Sequence, residues 1–216
     1  MELRELSLAV QKGSGKQSKQ LVKEALEQGL KPADILNNGL IAAMGEIGDK
    51  FKEGQIYVPE MLIAAKAMQA GLKVLAPSLK AEGVEPIGKA VIGTVKGDLH
   101  DIGKNLVIMM LESAGFEVID LGVDVPAEKF IQALEENPDV KIVGASALLT
   151  TTMEALKDTV KALNEYPGRD KIKVMVGGAP ITQEFADEIG ADAYTEDAAS
   201  AAQVAKKLAT SVSVPA

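Results

Sequence analysis

The spacing of hydrophobic positions changes part-way along the chain. In the first part, apolar residues recur every three or four positions, as in the predicted helix at Lys16–Gln28, and this spacing places them on one face of an α-helix. In the second part, short apolar runs such as Ala90–Val95 alternate with further helical patterns. The change predicts two domains, a helical one at 1–84 and an α/β one at 85–216.

The first domain is predicted to be a bundle of four amphipathic helices joined by short loops. Gly13 and Gly29 mark the ends of the first two helices. Pro32 and Pro59 suit the first turns of the third and fourth helices, where a missing backbone N–H costs nothing. The fourth helix is predicted to end before Pro77, because proline cannot donate the next helical hydrogen bond.

The second domain alternates predicted strands with predicted helices. The strands are almost entirely apolar, as expected for parallel strands that helices cover on both faces. This alternation predicts an α/β fold with a doubly wound, five-stranded parallel sheet of the flavodoxin-like type. The strands are expected at Ala90–Val95, Glu117–Leu121, Lys141–Ser146, Ile172–Val176 and Ala193–Thr195, and the helices at Gly103–Ala114, Ala127–Glu136, Thr152–Glu165, Gln183–Ile189 and Ala198–Ala209.

The unusual residues lie in loops that follow the predicted strands. In a doubly wound sheet, ligands bind beyond the carboxyl ends of the strands, where the strand order reverses between the first and third strands. The loop after the first strand, Lys96–Gly103, contains Asp98 and His100, and His100 is the only histidine of the chain. We therefore expect the functional site in this loop.

Composition narrows the class of protein. The chain has no cysteine, which rules out disulfides and thiolate metal sites. A net charge of −8 without a basic cluster, together with 3% aromatic residues, argues against nucleic acid as a partner. No apolar run is long enough to span a membrane, and Met1–Leu6 lacks the apolar segment of a signal peptide. We expect a cytoplasmic protein that binds neither nucleic acid nor a membrane.

Several familiar sites do not fit the residues around His100. The chain has no glycine-rich dinucleotide or phosphate loop, no nucleophile elbow, and too few ligands for an ordinary zinc site. A single imidazole is sufficient for cobalt or iron when a macrocycle supplies the in-plane ligands. If Lys96–His100 is extended, Asp98 and His100 project to the same side. A polar turn without function is the alternative that these residues alone leave open.

Three motifs together resemble the cobalamin-binding fold. They are Asp98-x-His100-x-x-Gly103, Ser146-x-Leu148 and Gly177-Gly178, each after a predicted strand and in the order of that family. Asp120–Pro126 is a further likeness.

The helical domain is similar to the cap of methyl-transferring cobalamin proteins. Gly48–Gly54 and the following Val58-Pro59-Glu60 resemble the signature of that cap. The whole chain thus resembles the corrinoid proteins of methylamine, methanol, betaine or methoxyarene methyltransferase systems, and also the cap and cobalamin-binding portion of methionine synthase.

This resemblance implies a methyl carrier of one-carbon metabolism, in methanogenesis or acetogenesis. A substrate-specific methyltransferase would place a methyl group on bound cob(I)alamin. A second methyltransferase would remove it from methyl-cob(III)alamin to tetrahydrofolate or coenzyme M. A reductive activase is a further implied partner, and the chain is not expected to have a complete activity alone. The alternatives are a non-catalytic cobalamin-binding sensor and a flavin-binding carrier.

The resemblance also implies roles for individual residues. His100 would replace the dimethylbenzimidazole of the cofactor as the lower cobalt ligand. Asp98 would bond the far side of His100, and Thr152 would complete this proton relay. Phe51 and Val58 would cover the upper, methyl-bearing face. The other implied cofactor-binding residues are Asp101, Ile102, Gly103, Ser146, Leu148, Thr150, Gly177, Gly178 and Tyr194.

Overall fold

The computed structural model describes residues 3–211 and divides into two compact units. The division along the chain falls between Pro86 and Ile87. The sequence pattern places its domain boundary two residues earlier, between residues 84 and 85. Among the described residues, no helix combines the length and apolar character needed to cross a membrane.

The helical unit contains the bundle that the spacing of apolar residues predicts. Its core is formed by aliphatic and methionine side chains, among them Leu6, Leu40 and Met61, which are almost inaccessible to solvent. The third predicted helix includes a π-helical segment, Ile35–Ile41, in which the Ala42 amide donates to the Asn37 carbonyl. The elements are α1 (Leu3–Gln11), α2 (Gly15–Glu27), α3 (Pro32–Asp34), the π-helix, α4 (Ala42–Lys52) and α5 (Val58–Ala81).

The predicted end of the fourth helix is wrong. Helix α5 continues through Pro77 to Ala81, although the proline ring removes one backbone hydrogen bond. The apolar face of the helix continues across this position, since Leu75 and Leu79 are both buried one turn apart. Tertiary burial on either side of Pro77 therefore outweighs the local preference of proline to end a helix.

The α/β unit has the predicted fold. Its sheet is parallel throughout, with the strand order β2-β1-β3-β4-β5. The strands are β1 (Gly88–Thr94), β2 (Phe116–Asp120), β3 (Val140–Ser146), β4 (Lys173–Gly177) and β5 (Ala193–Tyr194). The helices are α6 (Ile102–Ser113), α7 (Ala127–Glu136), α8 (Met153–Asn164), α9 (Gln183–Ile189) and α10 (Ala198–Ser211), with 3-10 turns at Thr150–Thr152 and Arg169–Lys171.

Valine side chains of the central strands and apolar side chains of α7, α8 and α9 form a continuous core. Phe130 of α7 and Leu156 of α8 are fully buried in it, next to Val91 and Val143 of the sheet. Such burial of apolar surface is the main source of stability for a sheet covered by helices. This shared core helps to fix the positions of the strands relative to one another.

The carboxyl ends of the three central strands lie side by side. Thr94 at the end of β1 pairs with Ser146 at the end of β3, and Ser146 pairs with Gly177 at the end of β4. The loops that follow these strands therefore begin at the same edge of the sheet, which is where a doubly wound fold binds its ligands.

The contact between Gly93 and Phe130 offers a test of this packing. A Cβ atom on Gly93 would lie 2.8 Å from Cζ of Phe130, closer than a core can accept without movement. Gly93→Ala is expected to lower the free energy of unfolding of the cofactor-free protein by about 1–3 kcal/mol, as overpacking does in other cores. Phe130→Leu shortens the opposing side chain, so the same substitution should cost less in that background.

Urea unfolding followed by circular dichroism measures both costs. Gly103→Ala is the matched control, because a Cβ atom there would meet no described atom within 4 Å. If Gly93→Ala lowers the free energy of unfolding equally in the wild type and in the Phe130→Leu background, the packing argument is contradicted.

Candidate functional site

The site is organised around a buried carboxylate in the loop between β1 and α6. The side chain of Asp98 has no solvent-accessible surface. Its Oδ1 accepts the backbone N–H of His100 at 3.1 Å and contacts Nδ1 of the His100 ring at 2.7 Å. Its Oδ2 accepts the backbone N–H of Leu148 at 2.7 Å and the hydroxyl of Thr152 at 2.8 Å. The loops after β1 and β3 therefore meet at one side chain.

These contacts determine the charge of Asp98. Burial alone raises the pKa of its carboxyl group. The hydrogen bonds from the Leu148 amide, the His100 ring, Thr152 and the His100 amide act in the opposite direction and prevail, so that the pKa falls from 3.8 to about 2. Asp98 is therefore ionised at neutral pH.

The ionised carboxylate also fixes the orientation and tautomer of His100. A carboxylate only accepts hydrogen bonds, so Nδ1 of the neutral imidazole must carry the proton, and the lone pair lies on Nε2. Residues 3–211 provide no hydrogen bond to Nε2, and the His100 side chain is 49% exposed. The site thus offers one accessible imidazole nitrogen.

The backbone reaches this geometry by a turn. Residues 96–100 are not extended, so the two side chains do not meet through strand-like alternation. Gly97 has a φ of +81°, and the Asp98 amide donates to the Val95 carbonyl at 3.1 Å. Glycine adopts this left-handed conformation without steric cost, which lets the chain reverse immediately after the strand. The two side chains meet because His100 folds back over Asp98.

Thr94 is a site residue that the sequence motifs did not indicate. Its side chain is fully buried, and its hydroxyl donates to the carbonyl of His100 at 2.9 Å. Because that proton is used, the 3.0 Å contact between Thr94 and Ser146 has the Ser146 hydroxyl as donor. Thr94 is the one hydroxyl residue in β1 and follows the apolar run Ala90–Gly93, and this was the available signal.

The two adjacent glycines after β4 differ in what the fold requires. Gly178 has a φ of +129°, and a Cβ atom there would collide with the carbonyl oxygen of Ala147. A Cβ atom on Gly177 would meet only the carbonyl oxygen of Thr195, at an ordinary 3.4 Å. The protein itself therefore requires a glycine at 178 but not at 177.

The other predicted site residues occupy three regions of the structure. Asp101, Ile102 and Gly103 are exposed at the start of α6. Thr150 is exposed in the 3-10 turn, whereas Tyr194 is partly buried against the sheet core. Phe51 in α4 and Val58 in α5 belong to the helical unit, where both are partly buried. Among the described residues, no group of three or more carboxylate or imidazole side chains is arranged to hold a metal ion.

Comparison with known proteins identifies the family. A model of the B12 binding domain matches residues 88–203, and a second B12 binding domain model matches residues 2–76. Dimethylamine corrinoid protein 1 of Methanosarcina mazei is 47% identical over 187 residues, 86% of each chain. Trimethylamine corrinoid protein of Methanosarcina barkeri is 43% identical over 183 residues, 84% of each chain.

The structure of the methanol:cobalamin methyltransferase complex MtaBC from Methanosarcina barkeri is also similar. It has a TM-score of 0.82 at 30% identity and covers 96% of this chain and 79% of that one. The chain belongs to the family of B12-binding corrinoid proteins.

The side chains around His100 in this corrinoid protein suit a large, flat, partly apolar ligand. Leu99 and Ile102 have 73% and 76% of their surface exposed, which is unusual for aliphatic residues. Both lie within two residues of the accessible imidazole. The single nitrogen donor and the exposed apolar neighbours match a metal that arrives in its own macrocycle.

The lowered pKa of Asp98 makes the stability of the α/β unit depend on pH. Because the pKa is lower in the folded state than the ordinary 3.8, the contribution is present above about pH 4 and is lost as the pH falls through about 2. Asp98→Asn removes this contribution. Its amide group also faces donors, so at neutral pH the variant should be about 1–3 kcal/mol less stable than the wild type.

The difference in free energy of unfolding between the wild type and Asp98→Asn should therefore shrink as the pH is lowered. Urea midpoints of the cofactor-free proteins between neutral pH and about pH 2 measure it. Asp101→Asn, at an exposed carboxylate of the same loop, is the control. If the curves of the wild type and Asp98→Asn stay parallel, the proposed ionisation of Asp98 is wrong.

Proposed function

We propose that this chain is the methyl carrier of a multi-component methyltransferase system. The carrier would accept a methyl group from a substrate-specific methyltransferase and give it to a second methyltransferase. The observation that carries this proposal is the imidazole of His100, which Asp98 holds with Nε2 accessible, in a chain of the corrinoid family. The chain would have no complete activity without its partner enzymes.

His100 would hold the cobalt of the corrinoid through Nε2. When bound, the corrinoid supplies a cobalt atom that can gain and lose a methyl group. The part of the protein is to place the imidazole and to hold its proton at Nδ1 through Asp98 and Thr152. A partner carboxylate of this kind raises the basicity of a ligating imidazole.

The loops around the carboxyl ends of the strands would hold the rest of the cofactor. Ser146 and Leu148 would line the space for the base that His100 displaces. Gly177 and Gly178 would leave room for the nucleotide tail of the cofactor. The surroundings of Gly177 support this role, because an added Cβ atom would make only an ordinary 3.4 Å contact and the fold alone does not require a glycine there. Asp101, Ile102, Gly103, Thr150 and Tyr194 are the further proposed contacts.

The helical unit is the proposed cap. We assign it to residues 1–84 and the cobalamin-binding domain to 85–216. Phe51 and Val58 would cover the methyl-bearing face of the cofactor. The match of residues 2–76 to a B12 binding domain model supports a role of this unit in cofactor binding.

A methylamine is the proposed methyl donor. Identity to the dimethylamine and trimethylamine corrinoid proteins is 47% and 43%, against 30% to the methanol complex. These relatives also favour the carrier over a cobalamin sensor or a flavin carrier. Tetrahydrofolate or coenzyme M remains the proposed acceptor, and a reductive activase the further partner. A cytoplasmic location stays a prediction.

Transfer of a labelled methyl group tests the proposed function. The chain is loaded with cobalamin, reduced, and incubated with methyl-labelled dimethylamine and a dimethylamine-specific methyltransferase. Label is expected to become protein-bound, and the chain without cobalamin should gain none. Methanol with a methanol-specific methyltransferase should label the chain less, because recognition lies with the partner enzyme. A loaded chain that gains no label from any methylamine system would contradict the proposal.

Gly177→Ala and Gly178→Ala separate a binding role from a folding role. Gly178→Ala should destabilise the cofactor-free protein by more than about 1 kcal/mol, because its φ and the Ala147 carbonyl both oppose a side chain. Gly177→Ala should change that stability by less than about 0.5 kcal/mol. Its effect should appear as weaker retention of cobalamin on gel filtration. Wild-type retention by Gly177→Ala would remove Gly177 from the binding site.

A further inference from the structure

Asp124 makes two hydrogen bonds to the turn that carries the histidine. Its Oδ1 accepts the backbone N–H of Gly97 at 2.7 Å, and its own N–H donates to the carbonyl of Asp98 at 2.9 Å. Among residues 3–211, Asp124 is also the one non-glycine residue with a positive φ, +55°. Aspartate and asparagine tolerate this left-handed conformation better than most residues.

The two bonds hold both ends of a two-residue segment. The backbone torsion angles of Gly97 and Asp98 lie between the two bonded groups, which are the N–H of Gly97 and the carbonyl of Asp98. Fixing both groups restricts the direction of the Cα–Cβ bond of Asp98. The carboxylate of Asp98 in turn binds Nδ1 of His100. Asp124 therefore acts on the imidazole through Asp98, without a contact of its own.

The loop that carries Asp124 is itself anchored on both sides. Asp120, at its start, pairs with the buried ammonium group of Lys104 at 2.7 Å and accepts the Gly122 amide at 2.9 Å. At its end, Val125 forms a bridge to Val95, the residue that follows β1. Because these contacts fix the position of the loop, the loop can also fix the position of the turn that it contacts.

We propose that Asp124 is a positioning residue for the metal-ligating imidazole. Its carboxylate oxygen is required as a fixed acceptor for the Gly97 amide, so that Asp98 presents His100 to the metal in one orientation. This inference rests on the proposed function, because it assumes that His100 is the ligand.

Two substitutions separate the acceptor from the backbone conformation. Asp124→Asn keeps an Oδ1 acceptor and the tolerance for positive φ. Asp124→Gly keeps the backbone conformation but has no acceptor. If Asp124 positions the imidazole, the ratio of histidine-ligated to unligated cofactor should fall about 10-fold in Asp124→Gly, the size expected for losing one hydrogen bond. Asp124→Asn should stay close to the wild type.

Electron paramagnetic resonance of the protein loaded with cob(II)alamin measures this ratio. The protein is produced with histidine labelled by the heavy nitrogen isotope, so that a doublet reports ligation by His100 and a triplet would come from the dimethylbenzimidazole. His100→Ala is the reference without the doublet. A residue that only stabilised the fold would leave this ratio unchanged in the folded, loaded fraction. An Asp124→Gly protein with wild-type ligation would therefore overturn the proposal, as would an Asp124→Asn protein that loses ligation as completely as Asp124→Gly.

A second measurement uses the wild-type protein and does not depend on the cofactor. Although Gly97 lies in an exposed turn, its amide should exchange with solvent deuterium slowly in the cofactor-free wild type and in Asp124→Asn. In Asp124→Gly it should exchange about 10-fold faster. Rapid exchange in the wild type would also overturn the proposal.

The failure of this inference can be told from the failure of the proposed function. If wild-type protein shows the same spectrum as His100→Ala, the ligand assignment fails and the role of Asp124 fails with it. If the wild type shows histidine ligation and Asp124→Gly keeps it, only the role of Asp124 fails.

Discussion

The burial of one ionised carboxylate constrains the loops at the carboxyl ends of the strands, where the cofactor is proposed to bind. Asp98 has no contact with solvent, and a buried charge without partners would be severely destabilising. One donor, His100, lies two residues away, whereas Leu148 and Thr152 lie 50 and 54 residues further along the chain. The loops after β1 and β3 therefore cannot move apart without exposing the charge. Parallel pairing of Thr94 with Ser146 provides the register that this arrangement needs.

The same carboxylate gives His100, the proposed ligand, a defined orientation. Ionised Asp98 accepts a hydrogen bond from the Nδ1–H group of His100. The lone pair on Nε2 therefore points away from the hydrogen bonds around Asp98. The hydroxyl of Thr94 holds the carbonyl of the same residue, so both the backbone and the ring of His100 are restrained. In the proposed function the protein would contribute the position of the imidazole, while the corrinoid would contribute the reactive metal. One histidine would then be enough for metal chemistry in a chain without cysteine.

Periodicity and motif order predicted the fold and the loop that carries the site, because both depend on patterns local in sequence. The apolar runs placed β1 to β5 within about two residues, and the sheet order followed from the doubly wound class. Features that depend on distant partners were missed. Burial of Leu75 and Leu79 carries α5 past Pro77, and Thr94 and Asp124 matter only through residues that the fold brings to them. The turn at Gly97, in which the Asp98 amide donates to the Val95 carbonyl, was not predicted from the sequence.

The central claim is that the one histidine of the chain binds the cobalt, and this uniqueness allows a direct test. If the protein is produced with histidine labelled by the heavy nitrogen isotope, His100 is the only labelled imidazole. Electron paramagnetic resonance is then recorded on labelled and unlabelled protein loaded with cob(II)alamin. The account predicts that the axial nitrogen splitting changes from a triplet to a doublet on labelling. A triplet that persists in the labelled protein would show that the dimethylbenzimidazole remains on the cobalt, which contradicts the account.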